Sequence, residues 1–381
     1  MAQLSVRRCP YCFAALPGGH TVVACPVKNK PDGSVCSAAT SRPAGDKTVL
    51  CTDHDVALVP HCWVTSCNQP LPVGWNEVTT TCLAMAGTRA SGKTVFVGMA
   101  ANLLLRWGRL NGLTVTHYSP ESQRSFMERF GDLDPSAPLY DSTMPELPGS
   151  DAVQREPILL RIQEPGRSRD HVLVLRDVAG EDLQNAGMDR AHFRFLAHAD
   201  GLILLVDSST SPAVRNVLGD EIFGQGADFQ PAAVWGNLES LSRAVVGDTA
   251  KRPPVAVTIS KFDYVLKAAS KRESPLHAAL AGKGLRVHHD ASLQRKQWDP
   301  YDADLLDQEL RTLCSRYLDQ PQLVERARAY ENPQVPVRFF ALSSLGLAPV
   351  IGRVAKHGTP SYRCLDPIKW FLMQAGLVAN G

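Results

Sequence analysis

Five apolar runs, each ending at a glycine, serine or acidic residue, set the rhythm of the chain from Val78 onward. The first, Val78-Thr-Thr-Thr-Cys-Leu-Ala-Met-Ala86, reads as a buried strand. Apolar residues then recur at helical spacing from Val95 to Trp107. The other runs are His171–Asp177, Asp200–Asp207, Pro254–Ser260 and Val337–Leu342. Strands this uniformly apolar are buried on both faces, as in a parallel sheet covered by helices. Glu156–Ile162 is a further strand, expected to pair with 171–176. Leu113–Tyr118 adds another strand and Ser122–Phe130 a helix, within an insertion at about 111–150. A second insertion, about 264–332, carries the amphipathic stretch Asp304–Cys314, and Pro367–Met373 predicts a closing helix. The expectation is an α/β three-layer sandwich with a mostly parallel sheet.

Before Val78 the pattern changes. Large apolar residues are sparse and cysteines crowd in: eight of the ten lie at or before Cys82. They fall into Cys9-Pro-Tyr-Cys12, the lone Cys25 and Cys36, Cys51-Thr-Asp-His54, and Cys62-Trp-Val-Thr-Ser-Cys67. Short turns carrying two donors let both face one ion, and eight donors are what two tetrahedral Zn²⁺ sites consume. A cytosolic chain with cysteines crowded at one end fits metal better than a disulfide frame. Cys12-Phe-Ala-Ala-Leu16-Pro17 and Cys67-Asn-Gln-Pro-Leu71-Pro72 share a tail, which looks like two knuckles of one zinc ribbon. On that reading Cys9, Cys12, Cys62 and Cys67 share one ion, and Cys25, Cys36, Cys51 and His54 the other. Sequential pairing of the ligands is also compatible with the spacing. Cys82, Cys314 and Cys364 read as packing. The expected division is a zinc-ribbon-like head, 1–76, and an enlarged domain, 77–381.

Charge narrows the partners. The formal net charge is +2 over 381 residues, with 7% aromatic residues. Thiolates binding two Zn²⁺ would bring it to about −1. Neither a basic face nor stacking aromatics argue for nucleic acid. No apolar run approaches the ~18 residues of a membrane span. Met1–Cys9 has no apolar signal region, so the expectation is a cytoplasmic protein whose head contacts protein partners.

The first strand ends in Gly87-Thr-Arg-Ala-Ser-Gly92-Lys93-Thr94, an intact GxxxxGK[ST] between strand and helix. Gly87, Ser91 and Gly92 bring backbone N–H groups toward phosphates, Lys93 adds a cation, and the Thr94 hydroxyl suits Mg²⁺. Three boxes follow in order: Asp177-Val-Ala-Gly180, Ser260-Lys261-Phe262-Asp263, and Ser343-Ser344-Leu345-Gly346. A carboxylate at Asp263 can accept from both N1–H and the 2-amino group of guanine, a pair adenine lacks.

In this order the boxes resemble the P-loop GTPases of the Ras-like, translation-factor class, over roughly Val78 to Gly346. The layout with its insertions is similar to bacterial double-GTPase domains of conflict systems. The resemblance implies GTP/GDP and Mg²⁺ as ligands, with Lys93 and Thr94 on phosphate and metal. It implies that Asp177 and Gly180 begin the second switch. It puts Lys261 and Asp263 on guanine, with Ser343 and Ser344 in the last base loop. Ser260 stands where Asn or Thr is usual. Thr143 is the candidate first-switch threonine, and an ordinary loop threonine is equally compatible. Glu181 occupies the place of the water-positioning Gln. Arg89, Arg190 and Arg194 are candidate arginine fingers or ordinary ion-paired side chains. The expectation is a GTP-binding switch, slow to hydrolyse without a protein partner, with another GTPase among the candidate partners. The alternatives are a pseudo-GTPase scaffold and a zinc-ribbon NTPase on nucleic acid.

Overall fold

The computed structural model describes residues 7–18, 20–27, 36, 39–43, 49–87, 91–131, 156–166, 169–177, 194–222, 235–236, 239, 252–282, 284–290, 293–346 and 361–381. Thr143, Gly180, Glu181, Arg89 and Arg190 lie outside the described residues, as does the side chain of Arg194.

Seven strands form the central sheet. They are β4 (Thr79–Gly87), β5 (Thr114–His117), β6 (Ile158–Gln163), β7 (His171–Asp177), β8 (Gly201–Asp207), β9 (Val255–Ser260) and β10 (Val337–Ala341). Their order is β10-β9-β8-β4-β7-β6-β5. The pairs from β10 through β7 are parallel, whereas β6 runs antiparallel to β7 and β5 antiparallel to β6. The expected pairing of 156–162 with 171–176 is therefore present, with Ile158 opposite Leu175.

Alternation along each strand feeds two cores. On β4, Leu83 and Met85 face one side; Cys82, Ala84 and Ala86 face the other. The Leu83 side packs on α1 (Lys93–Leu110), α2 (Pro120–Phe130) and α9 (Asp366–Gln374). The Cys82 side packs on α4 (Pro212–Leu218), α5 (Phe262–Ser270), α6 (Pro275–Leu280), α7 (Pro300–Arg316) and α8 (Pro321–Tyr330). A short α3 (Arg194–Ala197) adds Phe195 and Leu196 to that side. Gly201, at the start of β8, admits no side chain. A Cβ there would lie 2.2 Å from the Phe371 ring of α9.

The head has its own antiparallel sheet, β2-β1-β3, from β1 (His20–Ala24), β2 (Ala39–Pro43) and β3 (Val59–His61). Three knuckles surround it, each closed by one bridge: Arg8 to Ala15, Leu50 to Ala57, and His61 to Pro70. In each, the residue after the last ligand turns left-handed: Phe13, Asp55 and Asn68 have φ of 59°, 51° and 38°. That conformation is uncommon for residues other than glycine. It lets the Phe13 N–H return to the Cys9 carbonyl at 3.0 Å, the Asp55 N–H to Cys51 at 2.9 Å, and the Asn68 N–H to Val64 at 2.8 Å. The shared tails have a shared job, because Leu16 and Leu71 are both buried in one core.

That core is continuous with the Cys82 face of the large sheet. Cys9, Phe13, Cys62 and Trp75 belong to it. The Phe13 ring meets the Phe195 ring edge-on at 5.4 Å. The Arg8 guanidinium pairs with Asp200 at 2.8 Å, and Asp200 also accepts the Cys82 N–H of β4 at 2.9 Å. The Trp75 indole donates to the Arg8 carbonyl at 2.8 Å. Cys82, Cys314 and Cys364 are buried, as packing requires. No helix among the described residues is long and apolar enough to cross a membrane.

Candidate functional site

The carboxyl ends of β4, β7, β8, β9 and β10 lie side by side, and the sequence boxes follow directly from them. Gly87 ends β4 where a Cβ would come within 2.8 Å of the Leu205 carbonyl oxygen. Only glycine lets the chain leave the sheet there. Gly92, with φ 85°, caps α1, and Ser91 is fully buried beneath it. Lys93 opens the helix and donates its ammonium to the Gly87 carbonyl at 3.0 Å. The ammonium thus sits over the mouth of the loop, at the positive end of an 18-residue helix.

Thr94 donates its hydroxyl to the Asp177 carboxylate at 3.2 Å. Two residues 83 apart in sequence meet because β4 and β7 are parallel neighbours, with Met85 opposite Asp177. A hydroxyl and a carboxylate at this separation are hard oxygen donors of the kind Mg²⁺ takes.

The second group comes from β9 and β10. Asp263, in the first turn of α5, accepts the Ser343 hydroxyl in a short bond, and Ser343 accepts the Gly346 N–H at 3.1 Å. Ser344 is half-buried on the same loop. Burial pushes the Asp263 carboxyl up from the usual range; Ser343 and Lys261 oppose this, and Asp207 adds to it. A buried carboxylate with only part of its acceptor capacity used is costly until further N–H donors arrive. Lys261 is left-handed, φ 52° and ψ 39°. Its ammonium is held by Asp207 at 2.7 Å.

Ser260 joins the two groups. Its hydroxyl donates to the Ser91 carbonyl at 2.8 Å and approaches the Val206 carbonyl at 3.2 Å. A residue that departs only slightly from the usual Asn or Thr therefore ties the base-side loop to the glycine loop across 169 positions. Asp207 escaped the sequence reading. It closed an apolar run, and nothing nearby marked it as more than a strand end.

Two ligand clusters occupy the head. The donors of Cys9, Cys12, Cys62 and Cys67 all lie within 4.8 Å of one another, as do those of Cys25, Cys36, Cys51 and His54. The pairing is nested, not sequential: the second set lies between the two halves of the first. Cys9 and Cys67 sulfurs are 3.8 Å apart, Cys12 and Cys62 3.5 Å, and Cys36 and Cys51 3.7 Å. His54 Nδ1 lies 3.4 Å from Cys25 and 3.6 Å from Cys51. A tetrahedron with Zn–S bonds near 2.3 Å has edges of roughly 3.8 Å, slightly shorter where nitrogen replaces sulfur. The donors fit that figure. Hydrogen bonds from Cys62, Cys67 and Cys9 hold the Cys12 thiol well below its usual range, so one sulfur of the first cluster favours thiolate. Burial opposes ionisation of Cys51, but His54 and nearby backbone N–H groups bring it down to about 6.

A strand–glycine loop–helix between parallel neighbours, in a mostly parallel sheet whose β6 runs antiparallel to β7, fits a P-loop GTPase fold with a cysteine-rich, zinc-ribbon-like head. The chain belongs to the Double-GTPase 2 family, whose model matches residues 81–308, more than half of its length. A curated relative from Mycolicibacterium smegmatis is described as "Putative ESX-1 scaffolding and assembly protein SaeC". It is 29% identical over 324 residues, which cover 82% of this chain and 79% of that protein. Among solved structures, the GTP-bound GTPase-like domain of S. cerevisiae Ski7 aligns with 69% of this chain at 10% identity and a TM-score of 0.26. The match covers 42% of that chain.

Proposed function

We propose that this protein is a guanine-nucleotide switch that hydrolyses GTP slowly with Mg²⁺, and that its zinc-bound head docks a protein partner. In this reading Gly87, Ser91, Gly92 and Lys93 cradle the phosphates. Thr94 and Asp177 hold Mg²⁺, and Lys261, Asp263, Ser343 and Ser344 receive guanine. Thr143 and Gly180 respond to the γ-phosphate, while Glu181 and Arg89 are the candidates for positioning water and stabilising charge. The head, 1–76, and the GTPase domain, 77–381, divide near Val78. The observation that carries this reading is the Ser260–Ser91 bond, which ties the base-side and phosphate-side groups together at the carboxyl end of the sheet.

The test is nucleotide binding to purified protein. GTP should bind well ahead of ATP, and Asp263→Asn should shift preference toward XTP. Equal or tighter ATP binding would overturn the base assignment. Turnover on the order of 10 s⁻¹ without a partner would overturn the slow-switch reading.

A second reading has support of its own. The M. smegmatis relative is described by scaffolding and assembly, not catalysis. In that case nucleotide stabilises the fold and the head recruits partners. Phosphate release from GTP that is unchanged in Lys93→Ala would favour it.

A further inference from the structure

The end of β8 grips the base-side loop from two directions. Asp207 and Ser260 are register partners on the parallel strands β8 and β9, so Lys261 emerges beside Asp207. The Asp207 carboxylate takes the Lys261 ammonium at 2.7 Å. The next residue, Ser208, donates its hydroxyl to the Lys261 carbonyl at 2.8 Å. Lys261 is thus held at both its side-chain tip and its backbone, in a left-handed conformation with φ 52°. The Asp207 side chain is only 2% exposed, whereas that of Lys261 is 27% exposed. The other Asp207 oxygen accepts the Ser209 N–H at 2.9 Å and the Ser209 hydroxyl at 2.6 Å. With both oxygens engaged, the carboxylate cannot swing away.

An unanchored lysine has many rotamers, and its charge would be drawn toward bound phosphates. A buried, fixed carboxylate removes both freedoms before ligand arrives, which is preorganisation. We infer that Asp207 is a positioning residue for guanine nucleotide recognition: it pins the Lys261 ammonium so that the aliphatic stem is already set against the base. This rests on the reading that Lys261 and Asp263 receive guanine.

The experiment compares GDP, ADP and inorganic tripolyphosphate, each with Mg²⁺, on the full-length wild type and Asp207→Asn. Asp207→Asn should weaken GDP by about tenfold, because preorganisation of the base side is lost. Tripolyphosphate, which has no base, should bind both proteins alike. A loss shared by GDP and tripolyphosphate would mean a general structural defect and would overturn the proposal, as would unchanged GDP affinity. Lys261→Met keeps most of the stem and removes the ammonium. If Asp207 acts through Lys261, combining Asp207→Asn with Lys261→Met weakens GDP no further than Lys261→Met alone. Additive losses would overturn the proposal even if one variant is poorly stable. Wild type that binds ADP as tightly as GDP would instead sink the underlying base reading, and no variant is needed to see it.

Discussion

The two cysteine clusters use nearly the same donors in nearly the same geometry, yet they stand in different structural positions. The first, Cys9, Cys12, Cys62 and Cys67, lies against the Cys82 face of the nucleotide sheet. Around it Phe13, Leu16, Leu71 and Trp75 share one core with Ala84, Val174 and Leu204. The second, Cys25, Cys36, Cys51 and His54, closes the head sheet. None of its members belongs to that core among the described residues. What a metal site does for a protein is set less by its ligands than by what the ligands are packed against. The first cluster is positioned to support the large domain; the second has no described member in that core.

The comparison can be broken from either side. The largest effect is expected from Cys9→Ser with metal removed from the first cluster. It should lower the unfolding free energy of the GTPase domain by at least about 3 kcal/mol, by loss of the metal and of the core it closes. Thermal denaturation read from the β-sheet signal measures this, and an unchanged midpoint would refute it. Next comes Phe13→Ala, which leaves the ligands intact but empties a fully buried site against Phe195. A loss of about 3–4 kcal/mol is expected while two Zn²⁺ per chain are retained in elemental analysis. The smallest effect should come from Cys25→Ser. One Zn²⁺ should be lost and the head should become protease-sensitive, with the GTPase midpoint moving by less than about 0.5 kcal/mol equivalent. A larger shift would show that the second cluster reaches the sheet after all.

Much of the large domain could be read from the sequence, because its strands are buried on both faces and its loops carry charge at fixed offsets. Thr94 and Asp177 meet where the parallel pairing of β4 and β7 requires. The helices α4, α6 and α8 were not singled out, although each starts with proline, and α6 has the Ser274 cap that its Ser-Pro pair signals. Their apolar stripes are too short for periodicity to stand out against the insertion around them. The pairing of the zinc ligands was open because spacing alone does not say which knuckles face one another; the head sheet decides it by bringing β3 back beside β1. Asp207 was invisible for a similar reason. Its importance comes from lying across from Ser260 on another strand, and no local pattern records a neighbour 53 residues away. Ser260 shows the opposite case: an unusual residue in a recognisable box, whose hydroxyl finds a partner in the glycine loop.

The nested pairing has a consequence for how the head assembles. The first cluster joins Cys12 to Cys62 across 50 residues and Cys9 to Cys67 across 58. The second joins Cys36 to Cys51 across 15 and Cys25 to His54 across 29, wholly inside the first. The clusters are therefore nested loops. Closing the inner one first shortens the free chain that the outer one must bring together, and lowers its closure entropy by roughly 1 kcal/mol. Chain statistics alone then favour an order of metal loading. If both groups take Zn²⁺, the inner site is expected to fill first and the outer site, whose Cys9 and Cys62 share a core with the large sheet, last.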